Sequence, residues 1–359
     1  MKYRTATVLS EKTLDDAGTE VIKLNIQDPI SRILIGYRAK RVASAMTAHL
    51  LENVSKIELV DGSDVLFGMD GSELGALNIY DRRINSVMHS QTMGGTSMVA
   101  ALSIDFGRFL FDPELAFDPK KFDNPMLKIT YNRVAFDLEC THNYLTVIAE
   151  CFDEKPVSPV GFLMSKEHWK KNMSTDTYEY IDLPTDFPIR KMLVRGYYKG
   201  YEPWYTVAEA RIDEDNEKRI PFVWDIETYH KFRKAMDYPI IEGFHEHADA
   251  GGTWGPLYLT PTDYLAISVG SLENNDWYWT SGNERGGKVN IRAGVAGSLG
   301  GLIFGWLPLS CVQFPFGDQT DLDDWYDVTL KGNVRLRLKG GLEATIGAGS
   351  VVLQQLRRY

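Results

Sequence analysis

A surplus of basic residues is missing from this sequence: 39 Lys and Arg stand against 49 Asp and Glu, a net charge of −10. A chain that wraps nucleic acid directly must neutralise phosphates with Lys and Arg. Direct, sequence-specific nucleic-acid binding is therefore not expected, and the lysine pairs at 120–121 and 170–171 are too small to form a patch. Cysteine is scarce too. Cys140, Cys151 and Cys311 have no CxxC spacing, and an odd, sparse set points to reduced thiols and synthesis in the cytoplasm. Cys140 and Cys151 facing each other across a hairpin is the lesser reading. No run of 18 uncharged apolar residues exists; the nearest, 293–312, is broken by glycines and Pro308. The opening MKYRTATVLSEKT lacks the apolar core of a secretory signal, so a soluble protein is expected, and the sequons at Asn53 and Asn172 carry no weight.

Catalytic signatures are equally thin. GxSxG is absent, and Gly297-Ser298-Leu299-Gly300 has the wrong spacing for a nucleophile elbow. Gly294, Gly297 and Gly300 lack the Lys-Ser/Thr of a phosphate loop. His142 lies two residues from Cys140, on the same strand face, but nothing nearby would orient it as a base. His245-Glu246-His247 with Asp249 has the alternation of a two-histidine metal site on a β-barrel of the cupin kind. Such a site needs a further histidine downstream, and His247 is the last in the chain. A polar loop at a surface or subunit contact accounts for the cluster. Asp213-Glu214-Asp215 and Asp321 with Asp323-Asp324 are read as solvated loops in preference to a glycosidase pair. Trp277-Tyr278-Trp279 suits a core or interface, with sugar stacking as the alternative. No catalytic, cofactor-binding or metal-ligating residue is assigned.

What the chain does have is length for two domains, an apolar fraction of 44% and period-two alternation. Ile22, Leu24 and Ile26 alternate with Lys23 and Asn25, and Val334, Leu336 and Leu338 with Arg335, Arg337 and Lys339. Ile129 and Tyr131, then Val134, Phe136 and Leu138 on the shifted phase, predict a bulge near Asn132-Arg133. Thr141-His142-Asn143 then turns the chain into a strand over 144–152. The 31 glycines and 15 prolines are spread as many short strands require, and 282–305 is the glycine-richest part.

One pattern occurs twice. Residues 57–70 align without gaps on 212–225, at an offset of 155. Ile57 falls on Ile212, Val65 on Ile220, Phe67 on Phe222, Met69 on Trp224 and Asp70 on Asp225. The turn Asp61-Gly62 falls on Asn216-Glu217, and Pro29-Ile30 with Leu34 falls on Pro188-Ile189 with Leu193 at an offset of 159. Asp70, with Glu73 three residues on, predicts a helix carrying Leu74, Leu77, Ile84 and Val87; Asp225 predicts a second with Tyr229, Phe232 and Met236. The expected fold is all-β: two tandem eight-stranded jelly rolls with one short helix in each copy. Expected boundaries are an arm over 1–19, a first unit over 20–152, a packed connection over 153–187 and a second unit with its tail over 188–359.

The tandem match of IQDPISRILIGY…IELVDGSDVLFGMDGSELGALNIY with LPTDFPIRKMLVRGYY…IDEDNEKRIPFVWDIETYHKF, with the ending VVLQQLRRY, resembles double jelly-roll major capsid proteins. These coat tailless icosahedral viruses, often membrane-containing bacteriophages. The resemblance covers about residue 20 onward and brings no catalytic residue with it. It implies a pseudo-hexagonal homotrimer tiling an icosahedral shell within the virion, synthesised in the host cytoplasm. It also implies neighbouring trimers, penton and minor capsid proteins as partners, and an internal lipid membrane reached through the termini, with Arg357-Arg358-Tyr359 as a candidate contact. The alternative is a two-domain β-sandwich that binds or acts on carbohydrate.

Overall fold

The computed structural model describes residues 2–40, 46–83, 85, 87–90, 97–135, 140–154, 156–248, 255–271, 278–280, 286–293 and 297–359. In the first part of the chain the strands are β1 (Tyr3–Leu14), β2 (Ala17–Lys23), β3 (Ile30–Lys40), β4 (Val54–Asp61) and β5 (Asp64–Met69). Helix α1 (Gly71–Arg82) follows, then β6 (Val87–Ser90), β7 (Ser97–Asp105), β8 (Pro125–Asn132) and β9 (His142–Phe152). They pair as β1-β9-β3-β7 in one sheet and β2-β8-β4-β5 in the other. That interleaving, first strand beside last and second beside second-to-last, is the jelly-roll order.

The order recurs. The second part holds β10 (Gly161–Asn172), β11 (Tyr178–Asp182), β12 (Ile189–Tyr197), β13 (Val207–Glu214), β14 (Arg219–Asp225) and α2 (Ile226–Lys234). An excursion follows: β15 (Ile240–Ala248), β16 (Gly255–Tyr258), β17 (Pro261–Ser271), β18 (Tyr278–Thr280), β19 (Lys288–Ala293) and β20 (Gly297–Pro308). The unit closes with β21 (Cys311–Pro315), β22 (Val334–Gly340) and β23 (Ala348–Arg358). Its sheets run β10-β23-β12-β21 and β11-β22-β13-β14, strand for strand the order of the first unit.

Strands cross between the units. A parallel bridge from Lys166 to Gly68 joins β5 to β10 and makes one eight-stranded sheet from the two units. The excursion extends the other sheet through β6, β15, β20 and β17. Glycine permits close packing in β20: a Cβ on Gly301 would meet Phe244 and the Ser268 carbonyl at 2.4 Å. The largest apolar cluster is therefore continuous, holding Ile35, Phe67 and Leu77 of the first unit, Leu193 and Val352 of the second, and Phe244 and Ile303 of the excursion.

Several expectations are corrected. Residues expected as an amino-terminal arm form β1, whose backbone pairs with β9 from Tyr3↔Phe152 to Leu14↔Asn143. The expected connection over 153–187 contains β10 and β11, the first two strands of the second unit. The expected bulge at Asn132-Arg133 is a strand end followed by a short 3-10 turn. There the Asn132 side chain accepts from Val134 N and the Arg133 N–H turns to the Asp16 carbonyl. Helix α1 stops at Arg83, whose φ of 58° is left-handed, so Val87 starts a strand instead of extending the helical face; Ile84 lies outside the described residues.

Candidate functional site at the seam between the units

Helix α1 lies where the units meet, and its acidic side chains reach strands of the second unit. Asp70 caps it: one carboxylate oxygen accepts from Glu73 N (2.8 Å), while Asp70 N donates to Glu73 Oε2 (3.2 Å). The other Asp70 oxygen accepts from Lys170 of β10 (3.0 Å) and Arg195 of β12 (3.2 Å). Burial pushes the Asp70 carboxyl up, but Arg195 and Lys170 outweigh it and hold it below its ordinary value. Glu73, fully buried, accepts from the Ser350 hydroxyl of β23. Burial, with Asp70 and Glu167 nearby, pushes its carboxyl up to about 8.

At the far end of α1, Asp81 accepts from Arg190 (3.0 Å) and Lys191 (2.6 Å), and Gln354 lies at 3.4 Å. Burial again opposes the charge on Asp81, and Lys191 and Arg190 overcome it, leaving the carboxyl far below the usual range. Between these poles Tyr80 donates to the Cys311 carbonyl (2.7 Å), and Leu77 shares a buried cluster with Leu193 and Val352. One helix thus fixes the second unit through two charged clusters with an apolar centre. Asp70, Glu73 and Glu167 bring carboxylate oxygens within 4.8 Å of one another, but Lys170 and Arg195 already neutralise the group. A cavity of about 520 Å³ opens beside the seam, lined in part by Tyr80, Arg190, Tyr229, Lys234, Tyr238 and Trp306.

The sequence marked Asp70 and Glu73 as a helix cap and missed Arg190, Lys191, Arg195, Asp81 and Ser350. A signal was present. In IRKMLVRGY the charged residues sit on a strand buried on both faces, which requires partners of opposite charge. Asp213 and Glu214, expected in a solvated loop, are buried at the end of β13, and Glu214 pairs with Arg219 and Lys331. His245, Glu246 and His247 lie on β15, paired with Gly300, Leu299 and Ser298, a strand where a loop was expected. Asp249 and Trp277 fall outside the described residues; Tyr278 and Trp279 lie on β18. All three cysteines are free and buried. The carboxyl-terminal stretch is used inside the molecule: Arg357 pairs with Asp64, and the Tyr359 hydroxyl donates to the Ala116 carbonyl. Of the three residues offered as a membrane contact, Arg357 and Tyr359 are thus engaged within the chain, and the exposed Arg358 lies 3.9 Å from Asp323.

No protein-family model matches the sequence, and no curated protein matches it. Solved structures do. The fold is the double jelly roll, and the structures it is similar to are viral major capsid proteins. The crystal structure of the STIV MCP superposes with a TM-score of 0.61 at 10% identity, over 99% of this chain and 96% of that one. The major capsid protein P2 from Bacteriophage PM2 gives 0.56 at 10%, covering 99% and 98%. The PBCV-1 virus capsid gives 0.56 at 9%, covering 99% and 93%.

Proposed function

We propose that this chain is a viral major capsid protein, a structural and non-catalytic component of the virion that assembles as homotrimers tiling an icosahedral shell. The carrying observation is that two jelly rolls of one strand order are locked together in one chain by a shared sheet and a buried helix. Rigid doubling of this kind supplies six similar blocks per trimer, as a hexagonal tile requires. The match over 99% of the chain to capsid proteins supports the reading, as does the net charge of −10, which suits a coat that does not hold the genome directly. We place the division between the units between Phe152 and Gly161, and neighbouring trimers, penton and minor capsid proteins are the partners in this reading. The test is native mass by mass photometry at several concentrations. A stable species of three chains is expected, and a monomer unmoved by concentration or salt would count against assembly.

A further inference from the structure

The two units correspond residue by residue, and one carries a partner that the other lacks. In β12 and β23, Lys191, Leu193 and Arg195 stand opposite Gln354, Val352 and Ser350. In β3 and β9, Arg32, Leu34 and Gly36 stand opposite Glu150, Ile148 and Thr146. Both strands β3 and β12 start with the same irregularity, at Ile30/Arg32 and at Ile189/Lys191, which fixes the correspondence. In the second unit this outward sheet face is buried, because α1 covers it. In the first unit Leu34, Gly36, Thr146 and Ile148 remain half-exposed.

The helix that would cover that face is present, on the other unit. Asp70, Glu73 and Leu77 of α1 touch the second unit, and their counterparts in α2 are Asp225, Thr228 and Phe232. All three counterparts are exposed, Phe232 at 62%. Beyond the helix Met236 continues the stripe at 76% exposure. The sheet edges match in the same way. β5 and β10 are joined within the chain, whereas their counterparts β14 and β1 are terminal strands of their sheets. Val223, 49% exposed on β14, corresponds to Gly68, and Ala6 on β1 corresponds to Lys166. Unpaired edges and exposed large apolar side chains of this kind call for a cover.

We propose that a second copy of this chain docks α2 and β14 onto the outward face of β1-β9-β3, repeating between chains the contact that α1 and β5 make within one. Phe232 packs on Leu34 and Ile148 of the next copy, Thr228 faces Thr146, and β14 lies beside β1. The contact is head-to-tail, so repetition closes a ring of alternating first and second units. This assignment rests on the homotrimer reading and adds the surfaces that make it.

Two variants test it in the full chain. Thr146→Cys with Thr228→Cys, treated with a short bismaleimide, should give covalent products of two and three chains, and neither single variant should. The three native cysteines are buried and do not compete. Phe232→Glu should reduce the native mass to one third while leaving the melting temperature of the dissociated chain near that of other folded monomeric variants such as Leu34→Asp. A trimeric wild type whose double variant gives no cross-link overturns the assigned surface and leaves the trimer standing. A monomeric wild type overturns both.

Discussion

Glu73 shows at the scale of one residue how the seam works. Its carboxyl is buried among Asp70, Ser350 and Glu167, and burial first, then the neighbouring acids, pushes it up to about 8 from an ordinary 4.5. Between those values the folded chain holds a proton that the unfolded chain releases, so stability falls as pH rises from about 4.5 to about 8. Glu73→Gln keeps an acceptor for the Asp70 N–H without a titrating proton. Thermal melts between pH 5 and 9 should show the wild type losing stability along this range and the variant changing less. Equal slopes would mean that Glu73 is not held protonated. Asp81 works the other way, since Lys191 and Arg190 favour its charge and its contribution disappears only in strong acid. One helix therefore carries a neutral acid at one end and a paired carboxylate at the other.

At the scale of elements, the hairpins β4–β5 and β13–β14 set the value of the repeat. Phe67 is 2% exposed, so Phe67→Ala should cost about 3–5 kcal/mol. Phe222 is half-buried and stacks on Phe314 at 5.1 Å, so its loss should cost only about 1–2 kcal/mol. Denaturant midpoints of the two variants check the difference, and equal losses would contradict it. The ungapped alignment was right for β5 and β14 and for the caps Asp70 and Asp225. It was two residues out on the preceding strands: Leu59 opposes Phe67 where Ile212 opposes Phe222. The cause is a turn of two residues after Asp61 and of four after Glu214. A slip of two keeps the strand period, so Ile57 and Ile212 both point inward and the error left no trace in the pattern. The excursion of β15–β20 was not legible, and of the seam only the charges within IRKMLVRGY were, without their partners. Their partners are distant in sequence, and neither a glycine-rich strand nor a buried Arg-Asp pair has a local period.

For the whole molecule, the question is whether the two units behave as one body. The second unit keeps a core of its own, with Val194, Ile212 and Leu336, but the apolar cluster that holds Phe67 and Leu77 reaches across the seam to Leu193, Val352 and Ile303. The α1 clusters add charged pairs whose separation would leave buried cations unpaired, which is strongly unfavourable. Opening one unit should therefore open the other. Tryptophan distribution makes this measurable, because all eight tryptophans lie at or beyond Trp169 and the first unit contains none. Tryptophan fluorescence follows the second unit and the excursion, while far-ultraviolet circular dichroism follows strands throughout. The two melting curves should coincide in the wild type. The Phe67→Ala exchange, made in a unit without tryptophan, should lower the fluorescence midpoint as much as the dichroism midpoint. A fluorescence midpoint that stays at the wild-type value would show the units unfolding separately. A pair of units joined that loosely would not hold the fixed angle that each tile of a closed shell requires.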